Sequence, residues 1–152
     1  MSDAPVDAAP WLNANLDGWN RAMGLPFVKA TPDEVVAELE VSPVHHQPYG
    51  IVHGGVHAGI IETVCSVGAA VHSLSSGRSI VGLENHTSFL HAVRKGTIRA
   101  TARPLARGGR TQVWEANVTD DRDRVVATGR VRFLVLEPGS SVGGEPVALK
   151  EG

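Results

Sequence analysis

The stretch Val56–Leu74, VHAGIIETVCSVGAAVHSL, is the longest mostly apolar run in the chain, and its reading decides the fold. It is apolar on nearly all sides, which predicts one long helix enclosed by other structure rather than lying on a surface. Gly59 and Gly68 lower its intrinsic propensity, so packing must compensate, and such small residues let other backbone come close. Ser75-Ser76-Gly77 ends it. His57, Glu62 and His72 lie inside the run, and a bilayer span of about 20 residues seldom tolerates three such side chains. No membrane association is expected.

Working outward, Arg78–His91, Gly96–Ala106, Thr111–Thr119 and Val125–Leu136 are rich in Val, Ile, Thr and aromatics, and RKG, ARGGR and DDRDR separate them. These are strands joined by short turns, hence an antiparallel sheet. On the other side, Phe27–Ala30 and Glu34–Val41 alternate in the strand manner, and Pro43 and Pro48 mark Ser42–Gly50 as a loop. Trp11–Met23 fits a short helix stopped by Gly24 and Pro26. A helix apolar all round beside a large antiparallel sheet implies an α+β architecture in which the sheet curls about the helix. The expected organisation is an N-terminal extension with a short helix over 1–26, one domain over 27–136, and a flexible Pro/Gly/Ser-rich tail over 137–152.

Composition excludes several classes. The chain has 152 residues, 42% of them hydrophobic, enough for one domain with a core of its own. A single cysteine, Cys65, rules out a disulfide framework and fits a reducing compartment. The net charge of −2 argues against nucleic acid as a partner. The N-terminal MSDAPVDAAPWLNANLDGW has neither a basic segment nor an apolar one of signal type, so a cytoplasmic, soluble protein is expected.

Four positions carry candidate chemistry. His53-Gly54-Gly55 directly precedes the long helix, where free N–H groups and glycine suit an oxygen that becomes negative; the plain alternative is a glycine turn. Glu62 sits in the middle of the apolar helix, where an uncompensated carboxylate costs several kcal/mol. It is either catalytic, paired with an arginine, or emerging at a subunit interface. Ser66 lies at i+4 from Glu62, on the same face, and either serves that carboxylate or bonds its own backbone. Gln47, in the loop before HGG, either orients substrate or is an ordinary loop residue. Gly54 and Glu62 are about 12 Å apart along a helix at 1.5 Å per residue. Both cannot touch one small carbonyl from the same chain, so joint action requires two subunits in a symmetric dimer.

His45, His46, His53 and His57 suggest a metal, but HGGVH lacks the glutamate of H-E-x-x-H and no Cys or Asp ligand set accompanies it, so no metal is expected. Cys65 reads as a small buried hydrophobe, and the glycines of HGGVHAG match neither G-x-G-x-x-G nor a P-loop. Arg94-Lys95, Arg103, Arg107 and Arg110 form either a solvated face or a patch for phosphates.

HQPYGIVHGGVHAGIIETVCSVGAA, at 46–70, resembles the hotdog-fold acyl-CoA thioesterases, specifically the branch of 4-hydroxybenzoyl-CoA and 1,4-dihydroxy-2-naphthoyl-CoA thioesterases. The likeness continues through IVGLENHTSF, VRKGTIRATARPLARGGRTQVW and DRVVATGRVRF. It implies an antiparallel sheet wrapped around one central helix and hydrolysis of an acyl-CoA, with an aryl group such as hydroxybenzoyl or dihydroxynaphthoyl. The Gly54 N–H would polarise the thioester carbonyl, and Glu62 of the partner subunit would be nucleophile or general base. Gln47 and Ser66 would position substrate or water, and His53 would support the turn. Gly55, Gly82, Phe89, Leu90, His91, Arg107, Gly108, Arg110 and Thr111 would hold the substrate and its coenzyme A end. The resemblance further implies a homodimer, assembled in turn as a homotetramer, and no cofactor, coenzyme A being part of the substrate. Asn85–Phe89 matches the hydroxybenzoyl-type run Asn-His-Thr-Ser-Phe, whereas naphthoyl-type relatives have His-x-Arg at Phe89-Leu90-His91; relatives also often have Ser where Gly109 stands. A carrier-protein-linked (proofreading) thioesterase and a non-catalytic acyl-CoA-binding module are the alternative readings.

Overall fold

The central helix begins two residues before the hydropathy indicates. In the computed structural model, which describes residues 6–148, helix α3 spans Gly54–Ser73, so the two glycines of HGG form its first turn and His53 is its N-cap. Before it come helices α1 (Ala9–Ala14) and α2 (Gly18–Met23) and strands β1 (Phe27–Ala30) and β2 (Val35–Glu40). After it come β3 (Ser79–Phe89), β4 (Thr97–Arg107), β5 (Thr111–Thr119) and β6 (Val125–Leu136). These strands form one antiparallel sheet in the order β1-β2-β4-β5-β6-β3. The four-residue β1 closes one edge, and the eleven-residue β3 forms the other.

The sheet wraps α3 because the strands alternate and because their buried positions are small where the helix crosses. Ala37, Ala100, Ala102 and Ala116 of the sheet are buried in one core with Ile60, Ile61, Val64 and Cys65 of α3. Burial pushes the Cys65 thiol well above its usual range, which leaves it a protonated member of the core. Deeper along the helix, Trp114 of β5 lies over Gly68. Its Nε1 donates to Gln112 Oε1 at 2.9 Å, Gln112 Nε2 to Ser73 Oγ at 3.0 Å, and Ser73 Oγ to the Ala69 carbonyl at 2.9 Å. This buried chain ties β5 to α3 with every polar group partnered, as a core requires. A Cβ at Gly68 would lie 2.3 Å from the Trp114 ring. Overpacking costs about 1–3 kcal/mol, and a rigid buried indole places Gly68→Ala at the upper end, against about 1 kcal/mol gained in helix propensity. The net loss of about 2 kcal/mol is expected to lower the melting temperature by about 4–8 °C for a chain of this size, checked by calorimetry; an unchanged melting temperature would contradict this packing.

The helix expected over Trp11–Met23 is two helices. Asp17 is extended and accepts a hydrogen bond from Gly18 N at 2.7 Å, and Gly18 has φ +55°, so a continuous helix cannot pass between them. The extension is fastened to the sheet edge: Asp7 Oδ1 accepts from Ala30 N, and Asn13 exchanges two 2.8 Å bonds with the Phe27 backbone. In the C-terminal segment, β7 (Ser141–Val142) and β8 (Glu145–Pro146) form a two-residue hairpin around Gly143-Gly144. Residues 1–5 and 149–152, the outer parts of the expected extension and tail, lie outside the described residues.

Candidate active site

The start of α3 leaves one backbone donor unoccupied. His53 is extended (φ −63°, ψ 136°), and its Nδ1 accepts from Gly55 N at 2.8 Å. The His53 carbonyl accepts from Val56 N and His57 N. The Gly55 N–H is therefore engaged, and among the described residues Gly54 N–H remains as the free donor at the positive end of the helix dipole. Gln47 is held beside it: its side-chain oxygen accepts from Tyr49 N, and its backbone bonds Ile51 and Gly50. Gly54 and Gln47 line two adjoining clefts. One, of about 360 Å³, runs under Phe89, Leu90 and His91 to His57; the other, of about 450 Å³, passes Pro48, Tyr49 and His53. The Phe89 ring lies directly over Gly54, where a Cβ would come within 2.8 Å of it.

Glu62 sits two turns further along α3, half-buried, and no Lys, Arg or His among the described residues forms an ion pair with it. Its partner is Asn85 of β3, whose Nδ2 donates to Glu62 Oε2 at 2.9 Å and to the Ala58 carbonyl at 3.1 Å. Both are obligate acceptors, so the amide nitrogen is the atom facing them. Thr87 Oγ1 donates to Asn85 Oδ1 at 2.6 Å and fixes that orientation. Gly82, which the resemblance gives to the substrate and its coenzyme A end, lies against the carboxylate: a Cβ there would be 2.9 Å from Glu62 Oε1. One oxygen is thus held by an amide while the other lies beside Gly82, where a larger residue would press on it.

Ser66 takes the plainer of its two alternatives within this chain, donating to the Thr63 carbonyl at 3.0 Å. The β4–β5 turn is remote from Gly54. Arg107 is held by the Pro32 carbonyl and Asp33 Oδ1 and lies near His72, at the far end of α3. Eighteen residues of helix separate His72 from Gly54, about 27 Å at 1.5 Å per residue. Arg107, Gly108, Arg110 and Thr111 therefore line neither cleft at Gly54. A contribution from them to a ligand at Gly54 has to come from another subunit.

The histidines diverge into separate tasks. His45 bonds Met23 O and Ser42 N, His46 bonds Arg94 O, and His53 caps α3. No three of His, Cys, Asp or Glu among the described residues are placed to hold a metal ion. Asn85 and Thr87, which fall in the Asn-His-Thr-Ser-Phe run, and His57, one of the four histidines of metal-ligand type, are not marked as site residues by the sequence. The signal for the first two was available: two short polar residues at i, i+2 on one strand face the same way.

A family model described as "Thioesterase superfamily" matches residues 49–127. A Mycobacterium tuberculosis (strain H37Rv) protein provisionally named an esterase is 41% identical over 139 residues, covering 90% of this chain and 98% of the relative. The 1,4-dihydroxy-2-naphthoyl-CoA hydrolase of Listeria monocytogenes is 33% identical over 118 residues, covering 78% and 95%. Among solved structures, a Haemophilus influenzae thioesterase superposes with a TM-score of 0.80 at 26% identity, over 85% of this chain and 90% of that one. The match takes in more than half of the chain, both α3 and the whole of β3 to β5, and the relatives align almost end to end: the chain belongs to the thioesterase superfamily, as a thioester hydrolase with the hotdog fold.

Proposed function

We propose that this chain hydrolyses acyl-CoA thioesters carrying a bulky, aryl-type acyl group, at sites each built from two subunits. The observation that carries this reading is the division of labour along α3. A free N–H at Gly54 opens onto clefts, and a half-buried carboxylate with one oxygen beside Gly82 stands about 12 Å away on the same helix. The chemistry of thioester cleavage needs both at one carbonyl.

The exposed edge of β3 supplies a way to bring them together. Its long row of unpaired backbone groups, with Leu83 and Phe89 exposed, suits pairing with a second copy. Gly82 stands beside Glu62, and Phe89 stands over Gly54. An antiparallel two-fold pairing of β3 with itself, centred between Asn85 and His86, sets Gly82 of one copy opposite Phe89 of the other. The carboxylate of each subunit then faces the helix start of its partner, giving two composite sites per dimer.

In such a site the thioester oxygen accepts from Gly54 N–H, and negative charge developing there is stabilised by that donor and by the helix dipole. Glu62 Oε1 either attacks the carbonyl carbon, expelling the coenzyme A thiolate and leaving a mixed anhydride that water cleaves, or takes a proton from the water that attacks. Both routes end in free acid and coenzyme A. Asn85 holds Oε2, so Oε1 is the oxygen aimed at substrate. The kinship with a naphthoyl-CoA hydrolase and the aromatic lid of Phe89 favour an aryl group.

The test is thiol release from benzoyl-, hydroxybenzoyl-, phenylacetyl-, dihydroxynaphthoyl- and medium-chain acyl-CoA. Turnover of the aryl members well above the fatty ones is expected; preference for the fatty substrates, or none turned over, would reject this reading. Gly82→Ala provides a second check. The added methyl would press on Oε1 at 2.9 Å, while Gly82 itself is exposed and not at positive φ. Turnover is expected to fall at least about tenfold, as small misplacements of reacting groups do, with the melting temperature unchanged. Wild-type turnover in Gly82→Ala would disconnect Gly82 from the reacting oxygen.

A further inference from the structure

His57 is the one buried side chain among the described residues with an unpartnered polar atom. It is 3% exposed, and its Nδ1 is enclosed without a hydrogen-bond partner. It lies at i+3 from Gly54, on the same face of α3, and helical side chains lean toward the N-terminus. The ring accordingly reaches the cleft that Gly54 and Gln47 line. Phe89 covers it from above, its centroid 6.3 Å away and tilted by 35°. Ile51, Val52 and Leu90 supply apolar wall. Burial pushes the imidazole down to about 4, so it is neutral near pH 7 and no charged partner is called for. A leucine or phenylalanine would fill this place without an orphaned nitrogen, which costs about 1–3 kcal/mol when left unpaired. The ring lines the cleft, so its accessible polar edge is open to a partner that enters there.

We propose that His57 is a substrate-binding residue whose imidazole hydrogen-bonds a polar group of the thioester that occupies the cleft at Gly54. The proposal rests on the acyl-CoA reading. A neutral imidazole nitrogen either accepts or donates, according to its tautomer. Two parts of such a substrate carry the matching chemistry within a few bonds of the carbonyl: a hydroxyl on the acyl ring, and the amide nearest sulfur in the coenzyme A arm.

The experiment uses the full chain and three non-hydrolysable thioethers: 4-hydroxyphenacyl-CoA, phenacyl-CoA, which lacks the hydroxyl, and 4-hydroxyphenacyl ethyl sulfide, which lacks the amide. Ring-¹⁵N histidine spectra of the wild type are recorded at saturation with each, and affinities are measured for wild type, His57→Phe and His57→Asn. The His57 ring-nitrogen signals are expected to move with two of the thioethers and not with the third. His57→Phe is expected to weaken those two about tenfold, and His57→Asn, which keeps a polar atom near the Nδ1 position, to recover part of the loss. The thioether that does not respond identifies the group: phenacyl-CoA for a ring hydroxyl, the ethyl sulfide for the amide. Unmoved ring-nitrogen signals overturn the proposal, and so does equal weakening of all three by His57→Phe. If His57→Phe fails to fold, the wild-type spectra decide. Hydrolysis of acyl-CoA with an unmoved signal defeats this proposal alone, whereas a moved signal without hydrolysis defeats the enzymatic reading alone.

Discussion

Glu62→Gln is expected to lower the turnover of any thioester this chain cleaves by about 10³-fold, within the range of 10² to 10⁴ that positioned acid–base groups contribute, while the fold is retained. The fold is retained because, among the described residues, Glu62 has no cation to abandon, and its side-chain bond from Asn85 Nδ2 to Oε2 has an acceptor waiting in the glutamine carbonyl. Replacing a half-buried carboxylate by a neutral isostere removes a desolvation cost, so stability is expected to hold or rise slightly. Activity has no such refuge: an amide is neither a base nor a nucleophile at neutral pH. Glu62→Asp keeps the charge but withdraws it by one methylene, and falls between wild type and Glu62→Gln. Asn85→Ala should cost less than Glu62→Gln, since it frees Oε2 without removing Oε1, and Thr87→Val less again, since it releases only the orientation of Asn85. This graded series is what separates a reacting carboxylate from a structural one. Thiol-release rates beside thermal melts check it, and Glu62→Gln within tenfold of wild type would end the assignment.

What the sequence made legible follows from which interactions are local. The run 56–74 and the alternation of Thr111–Thr119 and Val125–Leu136 are periodic signals, and α3, β5 and β6 appear where those signals lie. The start of α3 was misplaced by two residues because Gly54 and Gly55 carry no hydropathy; what begins the helix is the capping contact of His53 with Gly55 N. The break at Asp17-Gly18 was invisible to a count of apolar spacings, since it depends on a left-handed glycine. Glu62 drew attention by being a carboxylate in an apolar run, yet its partner lies 23 residues away on β3 and depends on how that strand lies across the helix. Gly82 is harder still, for its meaning is the absence of a methyl beside one particular oxygen. His57 belonged to a group of four histidines that spacing alone suggested as ligands, and only its burial and orphaned Nδ1 set it apart.

Gly54→Pro tests the other half of the site, and in combination with Glu62→Gln it tests whether the halves belong to different chains. Proline at the first helical position deletes the one free donor while suiting the backbone, since proline is favoured there and His53 before it is already extended. The added Cβ meets the far edge of Phe89, an exposed side chain able to turn aside. Losing an oxyanion donor costs about 10²–10³ in turnover, so each variant alone is nearly inactive and, by these arguments, folded. Coexpressed in equal amounts, the two chains pair at random, and half of the dimers are hybrids. In a hybrid, one composite site carries both lesions and the other joins the intact Gly54 of one chain to the intact Glu62 of the other. About a quarter of all sites are then whole, so about a quarter of wild-type activity is expected to return from two nearly silent proteins. A site contained within one chain predicts no recovery, since every chain in the mixture is damaged. The contrast between a quarter and nothing does not depend on knowing the acyl group, the reacting route of Glu62 or any higher assembly. It depends only on the length of helix between Gly54 and Glu62, which no rotation of side chains can shorten.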